Sequence, residues 1–210
     1  MKKNSMKADK FCYIQSSNES QNLCFNLQEG ESLQLTFIVL GDVKVNNHII
    51  INLDGENAAC SLRGLWLING DADVNFDVKM NHHVANCTSD QLFKGIANDR
   101  AKSNFFGLIN VSTDAQKSDA RQQCHNLLLS DDARAYAKPQ LEIYADDVIC
   151  THGATVGRLN DDELFYMRSR GISLDEAKKI QLKVFAAAPL DFVTKDTASH
   201  LEDWINAISL

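Results

Sequence analysis

A chain of 210 residues, 44% of them hydrophobic and 23% charged, can bury a sizeable core and is not disordered in composition. Its formal charge of −7 argues against a general nucleic-acid binder or a ligand of anionic membrane surfaces. No apolar run is long enough to span a bilayer, and the basic start "MKKNSMKADKF" has no apolar stretch of a secretory signal, so a cytoplasmic protein is expected.

Residues 1–32 read as a polar N-terminal segment, softest at "SSNESQN" (Ser16–Asn22). From Leu33 to about Tyr144 the pattern is β. Apolar residues alternate in short runs over His48–Leu53, Ser61–Leu67, Val74–Met80 and Phe105–Val111. Turn signals separate them at Gly41-Asp42, Asp54-Gly55, Asn69-Gly70-Asp71 and Asn98-Asp99. Pro139 is the one proline ahead of the C-terminal helices, as expected of many laddered strands that keep their N–H donors. The uneven gaps and scarce hairpin doublets leave a sandwich, a barrel and a β-solenoid all open.

The character changes after His152. Asn160 followed by Asp161-Asp162-Glu163 predicts a capped helix start, with Arg168 and Arg170 at its end and Gly171 as the stop. Ser173 with Glu176 begins a second helix running to about Ala187, ahead of Pro189. A third, over 198–208, places Leu201, Trp204, Ile205 and Ile208 on one stripe. The predicted units are thus the polar segment, a β body over 33–157 and a small helical domain over 158–210.

Six dispersed cysteines form no C-x-x-C pair, which gives little support to a closed zinc or iron–sulfur site within the chain. Buried reduced thiols are the default for Cys12, Cys24 and Cys60. His82, His83 and Cys87 make a loose ligand cluster, but adjacent histidines on a strand face opposite ways, so packed or solvated positions are expected. Cys124-His125 is similarly weak. Cys150 and His152 are two apart on an extended run and project from one face, which makes half a metal site at best. No Walker A loop, G-x-S-x-G element or H-E-x-x-H pair occurs, so neither ATP binding nor hydrolase chemistry is expected of the chain.

The stretch Leu127–Ser173 resembles the core of the SufB/SufD family of iron–sulfur cluster assembly proteins. The resemblance rests on "KPQL" (Lys138–Leu141), "ADDV" (Ala145–Val148), "HGAT" (His152–Thr155), Phe165-Tyr166 and "RSRGI" (Arg168–Ile172). Asn81–Val111 and Ala115–Ser130 are also similar to that family, and the match covers roughly 42–205. The glycine after His152 is similar to the SufD branch; the SufB branch carries an acidic residue there. Family members are longer, with a helical N-terminal region and earlier coils.

The resemblance implies a right-handed parallel β-helix followed by a small C-terminal α-helical domain, in a non-catalytic scaffold subunit. It implies a SufB-like partner at the β-helix edge. It also implies a SufC-like ATPase docked on the C-terminal helices through Leu164, Phe165, Tyr166, Arg168, Arg170, Gly171 and Ile172. His152 is the residue implied at the interface with the SufB-like chain, as a metal-facing donor or orienting group, with Cys150 second to it. No cofactor is expected to be held tightly by this chain alone; a nascent iron–sulfur cluster at the partner interface is. Unpaired strand edges make a homodimer the expectation when the partner is missing. The competing readings are a purely structural module of the same complex and, more remotely, a carbohydrate-active β-helix enzyme, whose carboxylates would have to come from acidic pairs such as Asp146-Asp147.

Overall fold

The computed structural model describes residues 8–190, 201 and 203–206. Eleven strands alternate between two parallel sheets. In chain order they are β1 (Ala8–Gln15), β2 (Asn22–Leu27), β3 (Ser32–Gly41), β4 (Lys44–Leu53), β5 (Ala59–Ile68) and β6 (Asp73–His82). Then follow β7 (Thr88–Ala97), β8 (Lys102–Val111), β9 (Asp119–Leu128), β10 (Arg134–Ile143) and β11 (Ile149–Gly157). Odd strands form a six-stranded sheet in the order β1-β3-β5-β7-β9-β11, even strands a five-stranded one in the order β10-β8-β6-β4-β2. Each strand pairs in parallel with the strand two further on, so the chain winds as a β-solenoid of about five turns.

The register explains the uneven sequence spacing. Ser32 stands opposite Ala59, Ala59 opposite Thr88, Thr88 opposite Asp119 and Asp119 opposite Ile149, so successive coils run 27, 29, 31 and 30 residues. The extra residues are absorbed at the corners, where Asn57, Asn86, Asp99 and Lys117 hold positive φ beside Gly41 and Gly70. Strands begin well before Leu33. β1 and β2 lie in the segment that reads as polar, because their side chains are mostly exposed or half-buried and give no apolar run.

The two sheets bury a common core. Phe37, Trp66, Phe76, Phe93 and Phe105 are all at or below 1% exposure and make a continuous aromatic stack. Ring centroids are 5.5 Å apart for Trp66–Phe76 and 4.5 Å for Phe93–Phe105. Glycines make this stack possible. Phe93 lies opposite Gly64, and Gly95 opposite Trp66. A Cβ at Gly64 would strike the Phe93 ring, and one at Gly95 the Trp66 indole. Polar ladders run along the coils: Asn81 Nδ2 donates to Asn52 Oδ1 and Asn52 Nδ2 to Asn26 Oδ1, each at 2.7 Å.

The outer face of the odd sheet is buried as well. Ile38, Leu65, Leu67 and Ile96 pack under Leu182, Ala186, Leu201 and Ile205, which is why β3 and β5 carry continuous apolar runs rather than strict alternation. The helical cover comes from α2 (Leu174–Ala187) and from Leu201 and Ile205; α1 (Asp161–Ser169) precedes α2, and a 3₁₀ turn over Ala188–Leu190 follows it. Leu201 and 203–206 are helical. Leu201 and Ile205 of the predicted third stripe face this core, with Trp204 half-buried against it; Ile208 lies outside the described residues.

The helix caps form as the sequence suggests, with one substitution of partner. The Asn160 side chain accepts from the backbone N–H groups of Asp162 and Glu163, at 3.0 and 3.1 Å. The reciprocal bond comes from Gln181, whose Oε1 accepts from Asn160 N at 3.0 Å and whose Nε2 donates to Glu163. Gln181 thereby ties α2 to the start of α1. Ser173 and Glu176 form a full capping box. Gly171, at φ +89°, turns the chain between the helices. Lys94 of β7 donates to the Phe185 carbonyl at 3.0 Å and lies over its ring, supplying the cation that the last turn of α2 lacks.

The aromatic–glycine complementarity predicts a position-specific cost. Gly64→Ala should lower stability by roughly 1–3 kcal/mol, whereas Gly157→Ala, where a Cβ meets nothing within 4 Å, should stay within about 0.5 kcal/mol. Urea unfolding midpoints of the two variants test this.

Candidate functional site

The solenoid has two ends, and at the C-terminal end β10 and β11 are the edge strands of their sheets. Side chains facing into the coil there have no further coil beyond them. Cys150 pairs with Ala120, His152 with Gln122, Ala154 with Cys124 and Val156 with Asn126. Those four β9 residues are all 3% exposed or less. In-register parallel neighbours point to the same side, so Cys150 and His152 stand on the inward column yet are half-buried and exposed respectively. Across the end, the inward row of β10 is Ala135, Ala137, Pro139, Leu141 and Ile143. Apolar side chains rim the opening: Ile143, Tyr144, Ile149 and Val156 are between 40% and 63% exposed. A proline within β10 fits a strand that is an edge.

Alternate residues of a strand are about 7 Å apart, so one ion does not bridge His152 and Cys150 without a side chain reaching along the strand. Burial and the nearby Asp119 carboxylate push the Cys150 thiol above its ordinary range, and it is held as the thiol near neutral pH. No group of three or more potential ligands comes together among the described residues.

The other ligand clusters resolve into packing. His82 is fully buried, with Nε2 2.8 Å from Ser89 Oγ. His83 points out and meets Asp54 at 2.6 Å. Cys87 is buried with its Sγ 3.3 Å from the Gly55 carbonyl. Burial pushes the Cys124 thiol up to about 12, while His125 meets Thr155 Oγ1 at 2.8 Å.

A second surface lies on the helices. Phe165 and Tyr166 are 73% and 60% exposed, and Arg170 sits over the Tyr166 ring at 5.4 Å. Phe165, Arg168, Gly171 and Ile172 line a groove of about 560 Å³ that Ser173 and Leu174 complete. Leu164, named with these residues from the sequence, faces the other way: it is 7% exposed and supports the surface from beneath. Leu174, 42% exposed, belongs to this surface and was missed; an apolar residue directly after a cap is its only signal. A larger groove of about 690 Å³ lies beside the α1–α2 pair, lined among others by Leu127, Tyr166, Ile180 and Val184.

A family model described as the SufBD core domain of the SUF system for FeS cluster assembly matches residues 14–185. The chain belongs to the SufBD family. It is 40% identical over 149 residues to the iron–sulfur cluster assembly protein SufD of Escherichia coli, covering 71% of this chain and 35% of that protein. Against SufD of Bacillus subtilis it is 32% identical over 156 residues, 72% of this chain and 36% of that one. A SufBD family protein of Synechocystis is 40% identical over 121 residues, 57% and 26% of the two chains. The chain thus spans about a third of the length of these SufD relatives, and the SufD-type reading drawn from Gly153 stands. Among the described residues no helix is long and apolar enough to cross a membrane.

Buried His82, on the middle strand of the even sheet, gives the core a pH dependence. Burial pushes its pKa down to about 4 from an ordinary 6.5. The folded state therefore favours the neutral ring, and this contribution is complete above pH 6.5 and lost as pH falls toward 4. It amounts to roughly 3 kcal/mol. Comparing urea unfolding of the wild type and His82→Gln between pH 7 and 4 should show the steeper loss in the wild type.

Proposed function

We propose that this chain forms a scaffold subunit of a SufBCD-type complex, non-catalytic alone, that supports iron–sulfur cluster assembly in the cytoplasm. The observation that carries this reading is the exposed His152 on the inward column of an uncovered solenoid end. An imidazole there faces whatever closes the coil. A SufB-like β-solenoid offers the matching closure: its own edge strands satisfy the unpaired backbone groups of β10 and β11, and its side chains supply the ligands that two groups on one strand cannot. The cluster is cargo held between two chains, with His152 as donor or orienting group and Cys150, kept protonated, in a secondary place. Without the partner, the same apolar rim of a second copy serves as the cover.

A SufC-like ATPase docks on the helical surface. Phe165 and Tyr166 are large aromatics held out by a capped helix, flanked by Arg168 and Arg170, the residue types that anchor interfaces. Because α2 also covers the odd sheet, nucleotide-driven movement of the ATPase is passed to the solenoid through packed side chains rather than a loose linker.

The second reading, a structural module that never touches the cluster, is favoured by the protonated Cys150 and the two-donor limit of this end. Reconstitution with SufB-like and SufC-like subunits separates the two. His152→Ala should abolish loading of iron and acid-labile sulfide while the complex stays assembled, and Cys150→Ser should have the smaller effect. Normal loading on an intact His152→Ala complex would leave only the structural role. Independently, Phe165→Ala with Tyr166→Ala should weaken ATPase binding by more than about tenfold, read by titration calorimetry.

A further inference from the structure

One inward column of the odd sheet changes character along the solenoid. Leu35 pairs with Leu62, Leu62 with Gln91, Gln91 with Gln122 and Gln122 with His152. Two leucines give way to two glutamines on the approach to the histidine. All four residues before His152 are essentially inaccessible, with Gln91 at 1% and Gln122 at 0% exposure.

The glutamines are not fully satisfied by each other. Gln122 Nε2 donates to Gln91 Oε1 at 3.0 Å, but Gln122 Oε1 and Gln91 Nε2 have no partner. Exchanging the oxygen and nitrogen of both amides keeps one bond and leaves one polar atom over at each end. A buried amide atom left without a partner costs about 1–3 kcal/mol, and the leucines of the preceding coils show that this column accepts apolar side chains. Room has also been made for the amide head. A Cβ on Gly107, across the coil on β8, would lie 2.6 Å from both Gln122 Oε1 and Nε2. Gly107 is paired with Pro139 of the edge strand, so the Gln122 amide lies one layer beneath the open end. Adjacent strands are about 4.8 Å apart, within reach of the ring of His152.

We infer that Gln122 is the positioning residue of His152: its spare carbonyl oxygen accepts a hydrogen bond from one imidazole nitrogen, fixing the tautomer and aiming the other nitrogen out of the coil. This rests on the reading of His152 as the cluster-facing group. A metal-facing histidine is ordinarily held this way by an acceptor on its second nitrogen.

Long-range proton–nitrogen NMR of the His152 ring in the full chain, recorded over a pH series, tests the assignment. The wild type should show a single tautomer. Gln122→Leu should give a mixed population, Gln122→Glu, which keeps an acceptor, should restore one form, and Gln91→Leu should behave as wild type. Gln122→Leu and Gln91→Leu remove the same glutamine–glutamine bond, so a structural role alone moves both or neither. Should the leucine variant fail to fold, Gln122→Met retains the length without the acceptor. Identical ring spectra for wild type and folded Gln122→Leu or Gln122→Met would overturn the proposal. In the reconstituted complex Gln122→Leu should lower cluster loading by roughly tenfold. A tautomer change with undiminished loading in His152→Ala would leave the positioning standing and remove the role of His152 in assembly.

Discussion

Every property of this molecule depends on one constraint, the in-register parallel pairing of each strand with the strand one coil on. Once Ser32 is opposite Ala59 and Ala59 opposite Thr88, every residue has a fixed neighbour above and below on the same side of the sheet. Side chains therefore succeed or fail as columns. An aromatic ring needs a glycine in the next coil, as Phe93 has Gly64 and Trp66 has Gly95. An amide does best on another amide, as in Asn26, Asn52 and Asn81. A one-residue slip would send Phe76 and Val78 to solvent and Asp77 into the core, so the register is held by burial along the whole length.

The same constraint makes the last coil different in kind. In the interior, a column position is satisfied from both sides; at β11 it is satisfied from one. Cys150 and His152 continue columns that are buried in β9, and they are accessible only because the solenoid stops. A chemical group on the inward face thus becomes both well oriented by the coil beneath and open to a partner above, a combination that a surface loop does not provide. The helices add a second fixed surface. Their apolar stripe is consumed by Ile38, Leu65, Leu67 and Ile96, and the cross-tie from Gln181 to Asn160 sets the pitch of α1, so Phe165 and Tyr166 are left outward by construction.

The parts legible in the sequence were those with a local physical signature. The caps at Asn160 and Ser173, the stop at Gly171 and the runs over β4 to β6 and β8 follow from neighbours within a few residues, and the family motifs placed them in a solenoid. β1 and β2 were not legible, because exposed edge strands need no apolar alternation. Leu164 is buried for a related reason that the sequence could not show: helix periodicity tells which residues share a face but not which face meets the body. The inward columns were the least legible of all. Gln91 and Gln122 are 31 residues apart and acquire a common role only once coil lengths of 29, 31 and 30 are known.

Gly153 shows where the chain's own contacts stop accounting for its sequence. It directly follows His152, on the opposite face of β11, and it is the residue on which the resemblance to the SufD branch rests. Its φ is not in the left-handed region, and an added Cβ would meet nothing within 4 Å. Neither backbone strain nor packing within this chain demands a glycine there, in contrast to Gly64 and Gly95, where a ring or an indole does. In a fold where each side chain is judged by the coil above and below, a position that nothing internal restricts is set by what approaches from outside. Gly153 keeps the outer side of the edge strand low beside the histidine, and under the proposed function that leaves room for a partner's backbone against β11. The same contrast holds along the column beneath. Leucine would satisfy the interior at Gln122 more cheaply than glutamine does, so the residue there answers to the open end rather than to the core.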